Sequence, residues 1–243
     1  MRSGNPALNK KTFENLTNTG EGVMTLDGTV NKTAIGLILL MVAAYYTYTM
    51  PIETAYSFVW PGFIGGFILA IITIFKKEWS PITVPIYAVL EGLALGGISS
   101  IYNHEYTGIV QQAIFLTFGI FFTLLFAYKT KIIKATENFK LGVFAATGGI
   151  AIVYLASFVM SFFGSGMSIM DSSNGSWMSI GFSLFVVVIA SLNLVMDFDF
   201  IEDAAEKGVP KYMEWYGAFG LLVTLVWLYL EILRLLSKLN SRN

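Results

Sequence analysis

The chain contains no cysteine and a single histidine, His104, in 243 residues. Disulfides, thiolate metal centres and cysteine nucleophiles are therefore excluded, and one imidazole argues against a zinc site. Charge is scarce as well. Asp, Glu, Lys and Arg make up 13% of the residues, about half the share usual in soluble domains. The formal net charge is −1 and there is no basic face, so nothing points to nucleic acid. Also missing are a Ser-His-Asp set, a His-Glu-x-x-His helix and a glycine-rich phosphate cradle. An intramembrane aspartyl protease needs two aspartates within its spans, and only one is found here. The expectation is a protein that is not an enzyme.

What is abundant is apolar surface: 55% of the residues are hydrophobic and 15% aromatic. They collect in runs of about 18–24 residues, enough to cross a hydrocarbon core of about 30 Å as helices. The sequence predicts an all-α membrane protein with seven spans. These cover approximately Thr33–Met50, Ser57–Phe75, Ile82–Ser100, Gly108–Tyr128, Leu141–Phe163, Trp177–Phe200 and Met213–Leu236. Residues 1–32 are polar and rich in Thr, Asn and Gly, which reads as a flexible cytoplasmic arm. Residues 33–236 form the membrane domain, and 237–243 a short tail.

Lysine and arginine set the orientation. They lie in the amino-terminal arm (Arg2, Lys10, Lys11, Lys32), the second-to-third turn (Lys76, Lys77), the loop 129–140 and the turn at Lys207 and Lys211. The three alternating loops have none. By the positive-inside rule the amino terminus is cytoplasmic. Arg234, Lys238 and Arg242 dissent, since seven crossings leave them outside. Either a short tail translocated last tolerates this, or the seventh span is re-entrant.

Five acids sit in or beside spans: Glu91, Asp197, Asp199, Glu214 and Glu231. An ionised group costs at least about 2.5–3.5 kcal/mol at the centre of an inserted helix, so the default reading of such a residue is a site. Asp197 is placed about one turn inside its span. Asn193 lies four residues earlier on the same face, and Ser179 and Ser183 continue a polar stripe. Glu214 opens the next span at a similar depth. Two carboxylates brought together titrate as a unit and, deprotonated, offer hard oxygen ligands suited to Ca²⁺. Asp197 and Glu214 are thus candidate metal ligands, and Asp197, Glu214, Asp199, Asn193 and Glu91 candidate ion-binding or proton-sensing residues. The plainer reading is that the acids near the surface are solvated helix ends. For Glu91 it is a protonated carboxyl bonded to a neighbouring helix, and for Glu231 a local ion pair with Arg234.

Three motifs carry a family resemblance. Asp197-Phe198-Asp199-Phe200-Ile201-Glu202-Asp203-Ala204-Ala205-Glu206-Lys207-Gly208 resembles the acidic stretch after the sixth helix of the Bax inhibitor-1 family. Glu91-Gly92-Leu93-x-Leu95-Gly96 is similar to its third-helix motif, and Leu228-Tyr229-Leu230-Glu231-Ile232-Leu233-Arg234 to its close. The resemblance implies a seven-helix bundle with a pH-sensitive Ca²⁺ leak, in which an aspartate on the sixth helix pairs with one on the seventh. Asp197 matches the first. The second position falls at Thr224, and Glu214, ten residues earlier, points about 80° away on a regular helix. The expected partners are the lipid bilayer, Ca²⁺ and protons, with no cofactor beyond Ca²⁺ as a bound or transported ion. The expected location is a bacterial plasma membrane. The resemblance to bacterial members also leaves open a non-conducting regulator that binds a membrane protease or stress-response partner.

Overall fold

The computed structural model describes residues 22–164 and 166–242. Eight α-helices follow in chain order: α1 (Leu26–Tyr48), α2 (Ile52–Ser57), α3 (Val59–Phe75), α4 (Ser80–Glu105), α5 (Ile109–Lys129), α6 (Glu137–Ser161), α7 (Trp177–Glu206) and α8 (Met213–Asn240). With α2 and α3 counted together, seven segments are long and apolar enough to cross a membrane. The protein is an integral, all-α membrane protein.

The helices outrun the spans expected from hydropathy, and local chemistry explains where they stop. α1 begins at Leu26 rather than Thr33, so residues 26–32 are helical and not part of the arm. Its cap is Thr25, whose Oγ1 accepts from the Gly28 N–H at 3.0 Å, with Asp27 in the first turn facing the positive helix end. α7 continues nine residues past Asp197 before Gly208, at φ +62°, ends it in a left-handed turn. Asp197 is therefore more than two turns from the helix end, where one turn was expected. Glu202, Asp203 and Glu206, which lie beyond the expected span, are helical.

The described residues divide into two compact units, one of 22–105 and 199–223, the other of 106–198 and 224–242. The first is built on a glycine seam of α4. A Cβ at Gly92 would stand 2.3 Å from the Leu40 carbonyl oxygen, and one at Gly96 2.0 Å from Thr47 Oγ1. Only hydrogen at these positions lets α1 approach so closely. Thr47 Oγ1 uses the proximity to donate to the Leu93 carbonyl at 3.0 Å.

In the second unit, Ile150 of α6 packs with Val186 and Ile189 of α7, flanked by Tyr154, Phe182 and Trp227. Phe198 closes the other end of this core between Phe121 and Tyr128 of α5, with ring centroids 5.8 Å away in both cases.

Candidate functional site

Asp197 has no solvent exposure, although it lies far inside a helix that must cross lipid. Its carboxylate faces α8, where Thr224 Oγ1 donates to Asp197 Oδ2 at 2.5 Å. Thr224 is itself buried. One turn before Asp197, Asn193 Nδ2 donates to Thr147 Oγ1 of α6 and to the Ile189 carbonyl, each at 2.9 Å. Asn193 Oδ1 is buried and has no hydrogen-bond partner among the described residues. The shared face expected for Asn193 and Asp197 thus becomes a polar seam bordered by α6, α7 and α8. Asp199, two residues on and half-buried, falls on another side of α7.

Glu214 is 1% exposed and is occupied elsewhere. Lys32 Nζ approaches its Oε2 to 2.7 Å, while Oε1 accepts from the Thr25 N–H at 3.1 Å and from Thr25 Oγ1 at 2.9 Å. Glu214 is expected from the sequence to supply a second carboxylate to Asp197 or a ligand to Ca²⁺; in the structure its carboxylate contacts Lys32 and Thr25. A lysine ammonium already balances the charge, and a metal ion would have to displace it. Gly28 makes room for the arrangement, since a Cβ there would lie 2.0 Å from Glu214 Oε1. The backbone joins in: the Met24 N–H donates to the Val209 carbonyl at 2.7 Å, and the Lys211 N–H to the Gly22 carbonyl at 3.0 Å. The end of the supposed arm, residues 22–25, is strapped to the turn between α7 and α8.

Glu91 is 7% exposed in the middle of α4. Tyr87, one turn before it, donates a hydrogen bond to it. Its Oε2 has no hydrogen-bond partner among the described residues. Gly66 of α3 lies against the same carboxyl, where a Cβ would come within 2.9 Å of Oε1. Among the described residues, no three His, Asp or Glu side chains gather as a metal cage.

At the far end of α8 the basic residues that disturbed the topology are all engaged. Arg234 Nη1 contacts Glu231 Oε1 at 2.9 Å, the local ion pair expected from their spacing, and donates to Tyr154 Oη at 2.8 Å. Lys238 has no solvent exposure. Its ammonium donates to the Ile169 carbonyl at 2.6 Å and to Ser183 Oγ at 2.9 Å. The guanidinium of Arg242 stacks over Trp177, 3.5 Å from the ring centroid. Ser237 Oγ donates to the Ser172 carbonyl at 3.0 Å. The carboxyl-terminal end of α8 therefore lies with the α6–α7 connection.

In the sequence Thr224 stands only where a second acid is expected, and nothing local marks Thr25, Lys32 or Lys238 as partners of buried groups. The side chain of Lys238 did carry a signal, because Ser179 and Ser183 form a polar stripe that needed a donor. No curated protein matches the chain. The sequence model of the Bax inhibitor 1 like family matches residues 5–241, nearly the whole length, and the chain belongs to that family.

Proposed function

We propose that this protein provides a pH-sensitive leak pathway for Ca²⁺ or a similar cation, with Asp197 as its proton-sensing residue. The observation that carries the reading is a carboxylate with no solvent exposure, held by Thr224 at the position where family resemblance expects a second aspartate. Protonated, Asp197 is neutral and sits at little cost between α7 and α8. Deprotonated, it is a charge in a low-dielectric interior, and a passing cation offsets it. Asn193 Oδ1, one turn away, adds a hard oxygen suited to the same cation. Flux therefore rises as pH rises.

Replacement of an aspartate by Thr224 changes the form of the response. Two facing carboxylates titrate as a coupled pair, whereas the hydroxyl of Thr224 adds no second titrating proton at its position. Ca²⁺ is cargo in this reading and no resident cofactor is needed; the role is transport, not catalysis.

The lysine distribution supports a cytoplasmic amino terminus, and we assign the protein to a bacterial plasma membrane. The deciding experiment is Ca²⁺ flux into liposomes carrying the purified protein at pH 6 and pH 8. Higher flux at pH 8 that is lost in Asp197→Asn supports the pathway. No flux at either pH rejects it in favour of a membrane regulator acting through a partner protein.

A further inference from the structure

A cavity of about 530 Å³ opens at the end of α6, between that helix, the connection to α7 and the last turns of α8. Ser157, Ser161, Asp171, Arg234, Tyr154 and Phe158 are among the residues of its wall. The charges around it cancel. Arg234 has Glu231 against it, and Asp171 feels the ammonium of Lys238. The N–H and hydroxyl of Ser173 donate to Asp171 Oδ1 at 2.9 and 2.7 Å and hold its carboxyl below the usual range, so it is ionised at neutral pH. An anion in the cavity would meet Asp171, and a cation would meet Arg234. A zwitterion adds no net charge and satisfies both poles.

The surroundings of the cavity point to an amphiphile. Ile152, Leu155 and Phe158 recur at intervals of three and are all exposed, forming an apolar stripe along α6 that reaches the cavity. A soluble zwitterion has no use for that stripe, but an acyl chain does. The chemistry also selects the amine. A primary ammonium donates hydrogen bonds to a carboxylate and to serine hydroxyls, whereas a quaternary ammonium donates none.

We propose that this cavity binds the headgroup of a phospholipid with a primary amine, of the phosphatidylethanolamine type. The phosphate faces Arg234, the ammonium faces Asp171, and a chain lies along the α6 stripe. The site is separate from Asp197 and does not depend on the transport reading.

The test titrates the purified full-length protein in detergent with dioleoyl phosphatidylethanolamine, dioleoyl phosphatidylcholine or dioleoyl phosphatidylglycerol, with bound lipid read by native mass spectrometry. The ethanolamine lipid is expected to bind about tenfold more tightly than the choline lipid, the worth of one charge-assisted hydrogen bond. Asp171→Asn should bring the two within about twofold, and Ser161→Phe, at an exposed position, should fill the cavity and weaken both without lowering the melting temperature. Equal binding of the two lipids to the wild type overturns the proposal, as does a preference that survives Asp171→Asn. Tighter binding of the glycerol lipid rejects the zwitterion match. If soluble phosphoethanolamine binds as tightly as the lipid, the apolar stripe contributes nothing and the lipid assignment fails.

Discussion

Thr224 Oγ1 donates a 2.5 Å hydrogen bond to Asp197 Oδ2 across the interface of α8 and α7, and neither side chain meets solvent. A hydroxyl satisfies the acid without adding charge, so the contact holds whether Asp197 is protonated or not. The two helices are tied here by a polar bond within the seam that Asn193 continues.

Thr224→Val keeps the shape and removes the donor. It should destabilise the protein by about 1–3 kcal/mol, the cost of leaving a buried acceptor unmet. Thr224→Asp should create a coupled pair of acids that lose their protons in two separated steps, and so broaden the pH dependence of flux. Thermal unfolding in detergent checks the first, and liposome flux between pH 5.5 and 8.5 the second. An unchanged slope in Thr224→Asp would show that position 224 has no part in sensing.

Asp197→Asn removes the titrating proton at nearly constant volume. Flux should lose its pH dependence while the melting temperature stays close to wild type, because the amide still accepts from Thr224. A pH profile identical to the wild type would place the sensor at another residue.

The strap at Glu214 should matter for stability and not for sensing. Lys32→Met leaves a buried carboxylate without its cation and should cost about 1–3 kcal/mol, reduced from the fully buried case by the partial exposure of Lys32. Adding Glu214→Gln to Lys32→Met should recover much of that loss, since the orphaned charge goes with it. Neither change should alter the pH profile. A double mutant no more stable than Lys32→Met alone would contradict the ion-pair account.

The native chain lacks cysteine, so single introduced cysteines report topology without background. Cysteines at Asn174 and Ser241 should be labelled by an impermeant reagent from the same side, and one at Lys134 from the opposite side. In intact cells the first two should be the outer ones. Labelling of Lys134→Cys together with Asn174→Cys from one face would refute the seven-span arrangement.

At the helix seam, Gly96→Ala should be severely destabilising, because its Cβ meets Thr47 Oγ1 at 2.0 Å and the Ala44 carbonyl at 2.1 Å. Gly119→Ala, with nothing within 4 Å, serves as the neutral control in the same melting assay.

Apolar runs near bilayer thickness, scarce charge and the lysine pattern were enough to predict seven membrane helices, because lipid forces backbone polar groups to pair within each helix. Asp197 stood out for the same reason, as a costly group in a span. The Gly92 and Gly96 seam was also legible, since small residues four apart permit close approach on any helix. The helix ends were not legible from hydropathy, which stops at the membrane surface. α7 runs on through Glu206 in polar residues that a helix tolerates, and Thr25 starts α1 inside a stretch that composition alone marks as a loose arm.

Partnership was decided by the tertiary structure alone. Glu214 looked like the nearest available carboxylate for Asp197, but Thr25, 189 positions away in the chain, and Lys32 take it up. Lys238 looks in the sequence like a misplaced tail charge, but the Ile169 carbonyl of the α6–α7 connection and Ser183 of α7 take it up. A sequence shows which groups are too polar to leave unpaired. Which group meets which depends on how helices far apart in the chain rotate and pack, and that rotation is set by the whole set of buried contacts.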